Sequence, residues 1–229
     1  MMDRMMSVAP EVACLTEAFE DSTRALGGYA IAERGARWSI KRHEDERLVV
    51  LWSETPWRDV APAAPGTEGG ACLVATTDTP LGSIRVVGVC APHHAASPVG
   101  RAARAPMWSE QIAFWRGLGG VLEGQDSVLP LVVLGDFNQY LPRIWGSKTA
   151  SAAMLSALGR LHIVTEGIVP GIGEPTIDHL ACTDDLALEQ IEGLSRFADD
   201  GSALSDHFGL AVRLSTTRLR FGQNIEIAK

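Results

Sequence analysis

The sequence has no surplus of positive charge: 20 Lys and Arg stand against 28 Asp and Glu, a formal charge of −8. That excludes a protein that coats nucleic acid through a broad basic face. It still permits an enzyme, because a metal ion and a few local arginines suffice to hold one phosphate. No apolar run approaches the roughly 18 residues of a membrane span, and the opening MMDRMMSVAPEV holds no apolar signal core. A soluble, cytoplasmic protein is expected. Neither a G-x-G-x-x-G nor a P-loop motif occurs, which counts against the nucleotide-binding folds. Cysteine is scarce: Cys14, Cys72, Cys90 and Cys182 lie far apart with no CxxC pair. Buried free thiols are therefore expected, not disulfides or a zinc site.

What is present is ordinary globular composition, 46% apolar and 21% charged over 229 residues. One domain across residues 1–229 with a sizeable core is expected. Residues 3–8 can form a short helix that Pro10 ends, and VACL at 12–15 reads as a short buried strand. WSIKR at 38–42 and RLVVLWS at 47–53 read as a strand pair, and the Pro- and Gly-rich 57–71 as a surface loop. CLVATTD at 72–78 and SIRVVGVCA at 83–91 read as a hairpin around TPLG, with a loop over 93–106.

From Met107 the period changes. Trp108, Ile112, Trp115, Leu118 and Leu122 recur at three and four residues, which predicts an amphipathic helix. VLPLVVLG at 128–135 reads as a strand covered on both faces. A helix is expected at 148–158, and strands at 161–165, 177–183 and 208–214, with a tail from Ser215 that is either an edge element or loose. Frequent hairpins beside two main helices predict an α/β sandwich of two mixed sheets with outer helices.

Three polar clusters break this apolar pattern. GDFN places Asp136 and Asn138 two positions apart at the end of a buried strand, on one face if the strand continues. The acid can orient and deprotonate water; the amide can hold the acid or meet a phosphoryl oxygen. An Asx cap with Asn138 in a turn fits the same residues. In SDH, Asp206 is a hard oxygen ligand suited to Mg²⁺, and His207 can donate to phosphate if a second carboxylate fixes it. Asp178 in TIDH is the candidate, and such a pair keeps the imidazole charged near neutrality. Glu17, directly after the first apolar run, is a further metal-side acid or the start of a solvated helix face.

In this order, with GDFN and SDH as the specific marks, the chain resembles the endonuclease/exonuclease/phosphatase superfamily, with the likeness running from about Pro10 to Leu214. The resemblance implies a four-layer DNase I-like α/β sandwich. It implies that Asp136, Asn138, Asp178 and His207 are catalytic and that Glu17 and Asp206 hold Mg²⁺ or Mn²⁺. It implies in-line attack of activated water on a phosphoester, with nucleic acid as a possible substrate and a monomer as the working form. A small-molecule or lipid-headgroup phosphatase and an inactive binding protein that keeps the fold are the alternatives. Two departures stand out. The family's opening strand with its asparagine is missing, so an N-terminally truncated form is expected. Cys90 takes the place where the family often carries Tyr or His. Cys90 is thus placed on the substrate side, but a thiol is a poor donor; His93 or His94, or Arg101 and Arg104 from the following loop, can serve the phosphate instead, and Arg143 and Trp145 can line the substrate mouth.

Overall fold

A computed structural model describes residues 2–34, 43–61, 66–67, 69–97, 104–125 and 128–217. The most apolar runs of the chain become the middle of a six-stranded sheet. Its strands are β4 (Arg58–Ala61), β5 (Ala71–Thr79), β6 (Gly82–Cys90), β7 (Leu131–Asp136), β8 (His162–Ile163) and β9 (Asp178–Cys182), in the order β4-β5-β6-β7-β9-β8. β6 and β7 run parallel, so the chain must cross over between them, and helix α2 (Ser109–Glu123) makes that crossover. The other neighbours pair antiparallel, which makes the sheet mixed.

Both faces of this sheet are covered. On one, α2 and α3 (Lys148–Leu158) bring Phe114, Trp115, Leu118, Met154 and Leu158 onto Val87, Val89 and Val133. α3 begins at Ser147, whose side chain accepts the Ala150 N–H. On the other face lies an antiparallel sheet of β1 (Val12–Phe19), β2 (Tyr29–Ala32) and β3 (Glu46–Ser53), in the order β1-β3-β2. Val49 and Leu51 of β3 pack there against Leu73, Ile84 and Val86. A ribbon of β10 (Leu186–Leu194) and β11 (Gly209–Thr216) lies beside it and packs Val212 and Leu214 over Val132 and Leu180. Outside this layer, the short α1 (Met2–Met6) sets Met5 against Ala13 and Trp52. Helices, sheet, sheet and α1 are the four layers of a DNase I-like sandwich.

Several local expectations need correction. The stretch 57–71 is not all loop: β4 adds an edge strand there, and Arg58 anchors it through a bidentate pair with Asp78 at 2.5 and 2.9 Å. The partner of residues 47–53 is β1 on one side and β2 on the other; WSIKR lies outside the described residues. Trp108 is not in the helix but caps it, with φ 70°. β10 carries Glu189, Gln190 and Glu192, and that polarity hid it from an apolar-run search. All four cysteines are free, and Cys72, Cys90 and Cys182 are buried as expected. Among the described residues, no helix is long and apolar enough to cross a membrane.

Candidate active site

The site begins where β7 ends. Gly135 has φ 131°, and a Cβ there would lie 2.1 Å from the carbonyl oxygen of Val89 on β6. Only glycine lets the two parallel strands stay paired to their ends. Asp136 follows, 7% exposed. The chain then turns through Asn138 at φ 50°, a left-handed conformation that asparagine tolerates better than most residues. The Asn138 backbone N–H donates to Asp136 Oδ1 at 2.7 Å. Its Nδ2 donates to Asp136 Oδ2 at 2.8 Å and to the Ala91 carbonyl at 2.8 Å. Holding the acid is therefore the role its hydrogen bonds fill. Fully buried Gln111 on α2 supports the turn: it donates to the Asn138 carbonyl at 3.1 Å and accepts from Gln139 at 2.6 Å. Sequence reasoning passed over Gln111; the signal was a polar residue on the apolar stripe of α2.

Across the β7–β9 pairing, Asp136 is the register partner of Asp178. Thr176 Oγ1 accepts the Asp178 N–H at 2.9 Å. Asp178 Oδ2 accepts from His207 Nδ1 at 2.5 Å, so the expected acid–imidazole pair is formed. That hydrogen bond is the main reason the His207 pKa rises to about 9, against the opposing pull of burial. Asp136 is also pushed up, well above the usual carboxylate range, first by burial and next by the Asp178 charge, with His207 partly offsetting both. At neutral pH His207 is a held cation, while Asp136 binds a proton more tightly than an ordinary carboxylate does. Such divergent tuning of neighbouring groups is typical of acid–base sites. His179, next along β9, points the other way and is buried, bonded at 2.9 Å to both Thr165 Oγ1 and the Gln139 carbonyl. Its role is packing.

Glu17 sits in β1 with φ 51°, exposed, and its charge acts on both Asp136 and His93. Cys14 lies behind the same acids; burial first, and then Asp178, push its thiol up to about 12, so it is no nucleophile. Asp206 is the most open member, its side chain 91% exposed and its Oδ1 3.5 Å from His207 Nε2. Among the described residues, no three His, Cys, Asp or Glu draw together into a metal cage. The donor chemistry nevertheless fits Mg²⁺ or Mn²⁺. These hard ions keep several waters and need only one or two carboxylates, and a cation would offset the crowding of Asp136 by Asp178 and Glu17.

The expected substrate side divides. Cys90 shares the sheet face of its register partner Asp136, but it is 1% exposed and packed between the sheets, so cover by the second sheet keeps it from the surface. His93 is half-buried, accepts the Ala95 N–H at Nδ1 (3.2 Å) and lies in the field of Glu17. Arg104 is exposed and acts on His93; Arg101 lies outside the described residues. Arg143 is exposed and donates to the Gly146 carbonyl at 3.0 Å, which braces the loop after GDFN. That loop carries a feature missed from sequence. Trp145 meets His94 and Trp108, with ring centroids 5.2 and 5.3 Å away. Gly146 makes room for this, because a Cβ there would lie 2.7 Å from the Trp108 ring. Trp145 stays 55% exposed. Trp108 was read as the start of a helix stripe, which hid the cluster.

No protein-family model and no curated protein matches the chain. Solved structures do. A human Nocturnin catalytic domain with bound sulfate aligns at TM-score 0.67 and 16% identity, over 94% of this chain and 84% of that one. An endonuclease/exonuclease/phosphatase from Beutenbergia cavernae aligns at 0.62 and 20%, over 93% of this chain; this chain spans 64% of its length. A 3′-5′ exonuclease from Neisseria meningitidis aligns at 0.61 and 16%, over 84% and 85%. The fold is that of the endonuclease/exonuclease/phosphatase, or DNase I-like, proteins.

Proposed function

We propose that the protein is a divalent-metal-dependent phosphoester hydrolase, most specifically a cytoplasmic, monomeric phosphodiesterase or nuclease. The observation that carries this is the pairing of Asp136 with Asp178 across one strand ladder, with Asn138 holding the first and His207 held by the second. Asp136, basic and fixed at both oxygens, accepts a proton from the attacking water. His207 stays protonated and presents Nε2–H to a phosphoryl oxygen, where charge builds as the new P–O bond forms. Asn138 positions Asp136. A bound Mg²⁺ or Mn²⁺, held by Glu17 and Asp206, would supply further charge neutralisation at the phosphoryl oxygens. A diester leaving group departs opposite the attacking water. Trp145, with Arg143 behind it, suits a nucleobase, since aromatic rings stack on any base. A structural relative, the Neisseria enzyme, is a 3′-5′ exonuclease, which is consistent with a nucleic-acid substrate.

The test is a substrate profile with added Mg²⁺ or Mn²⁺. Single-stranded DNA, RNA, a lipid-headgroup phosphodiester and a sugar phosphomonoester are compared. Preferential metal-dependent cleavage of a nucleic acid supports the nuclease assignment. Turnover of the monoester alone supports a phosphatase instead.

A further inference from the structure

We infer that Arg196 is a positioning residue of the site, bracing the peptide that carries His207. His207 belongs to neither strand of the ribbon. It lies on the connection from β10 to β11, two residues before β11 begins at Gly209. Most of residues 197–206 in that connection are exposed. Exposed connections move more than the elements they join. A group that must meet a phosphoryl oxygen has to be held within about 0.5 Å. Something must therefore fix this peptide, and no part of the site described above does so from the chain side of His207.

The tip of the connection is folded by its own bonds. The Ala198 N–H donates to the Ser202 carbonyl at 2.8 Å, the Gly201 N–H donates to the Ala198 carbonyl at 3.0 Å, and Phe197 pairs with Ala203. Arg196 then clamps the returning chain twice. Its carbonyl accepts the Leu204 N–H at 2.7 Å. Its Nη1 donates to the Asp206 carbonyl at 2.6 Å. That carbonyl belongs to the peptide joining Asp206 to His207, so the bond fixes the plane from which His207 springs. A guanidinium donor makes it a charge-assisted bond, stronger than a neutral one. The guanidinium is steadied in turn over the Phe197 ring, 5.1 Å from its centroid. On the other side of His207, Phe208 is buried, and Gly209 pairs with Leu194 as the first rung of the ribbon. His207 is thus fixed from both sides, with Nδ1 on Asp178. The catalytic consequence rests on the reading of His207 as the donor to phosphate; the brace itself is measurable without substrate.

Two readouts on the full chain test this. The first is NMR of the chain labelled with ¹⁵N-histidine, without metal, where the His207 Nδ1–H signal is assigned by its loss in His207→Ala. Wild type is expected to show that hydrogen-bonded proton and Arg196→Ala to lose it. Arg196→Lys should keep it, because an ammonium can still donate to the Asp206 carbonyl. The second is hydrolysis of a bis-aryl phosphate with Mg²⁺. Arg196→Ala should lower kcat roughly 10- to 100-fold with KM little changed, and Arg196→Lys should return to within about 5-fold of wild type. An Nδ1–H signal and a kcat that both survive Arg196→Ala would overturn the inference. So would a KM rise at constant kcat, which would make Arg196 a substrate contact, or a lysine variant no better than alanine. If wild type shows no metal-dependent rate, the hydrolase reading fails and the NMR signal alone decides. A signal lost in Arg196→Ala and kept in Arg196→Lys then supports the brace, and any other pattern overturns it.

Discussion

Asp136 and Asp178 stand opposite one another on β7 and β9, yet each is tied to a different partner. Asp178 accepts from His207, and Asp136 accepts twice from Asn138. One acid thereby fixes a cation, and the other keeps a raised affinity for a proton. The consequences are measurable.

The activity–pH profile should be bell-shaped. The rising limb follows deprotonation of Asp136, and the falling limb follows loss of the His207 proton near pH 9. Asp178→Asn removes the main cause of the upward shift, so the falling limb should move down toward the ordinary histidine value of about 6.5. A limb that stays near 9 would show that His207 is not the group titrating.

Stability should separate from activity at Asp136. A carboxyl with a raised folded pKa costs stability above its unfolded pKa of about 4, and the cost grows until the folded pKa is passed. Asp136→Asn should therefore raise the melting temperature at pH 7 while lowering turnover by roughly 1,000-fold. For His207 the sign is opposite. Its raised pKa contributes stability that is full below about 6.5 and is lost as pH rises through about 9. Thermal melts of wild type and His207→Ala across pH 6 to 10 should converge at the alkaline end.

Asn138 should act through Asp136 alone. Asn138→Gly keeps the left-handed turn but loses the amide bonds to Asp136 and Ala91. kcat should fall roughly 10- to 100-fold with KM little changed, in line with losses seen when supporting hydrogen bonds are removed. A KM rise at constant kcat would instead place the amide on the substrate.

Gly135→Ala should destabilise the fold by about 3 kcal/mol or more, because the new Cβ meets the Val89 carbonyl of a central strand. Urea unfolding of an otherwise inert variant reads this directly. A change below about 1 kcal/mol would mean the strands separate easily.

Much of this was legible in the sequence. Continuous apolar runs gave β6 and β7, and the tryptophan and leucine spacing gave α2, because burial writes itself into periodicity. GDFN, TIDH and SDH pointed to residues that the fold does bring together, because carboxylates, an amide and an imidazole beside apolar strands are costly unless they pair. Cys90 misled because its place in a motif says nothing about cover: it shares a face with its register partner Asp136, and the second sheet packs over it. Gln111 and the Trp108–Trp145 contact stayed hidden because each joins residues nearly thirty or more positions apart. Their roles depend on how α2 meets the loop after β7. β10 was lost for the opposite reason, since an exposed ribbon strand carries no apolar run.

The most direct test is hydrolysis of a bis-aryl phosphate with and without Mg²⁺ or Mn²⁺, by the wild type, Asp136→Ala and His207→Ala. A metal-dependent wild-type rate that both variants reduce by about 1,000-fold is expected if the two groups share one phosphate. A wild-type rate no higher than background, or variants that keep it, would contradict the assignment of this site to phosphoester hydrolysis.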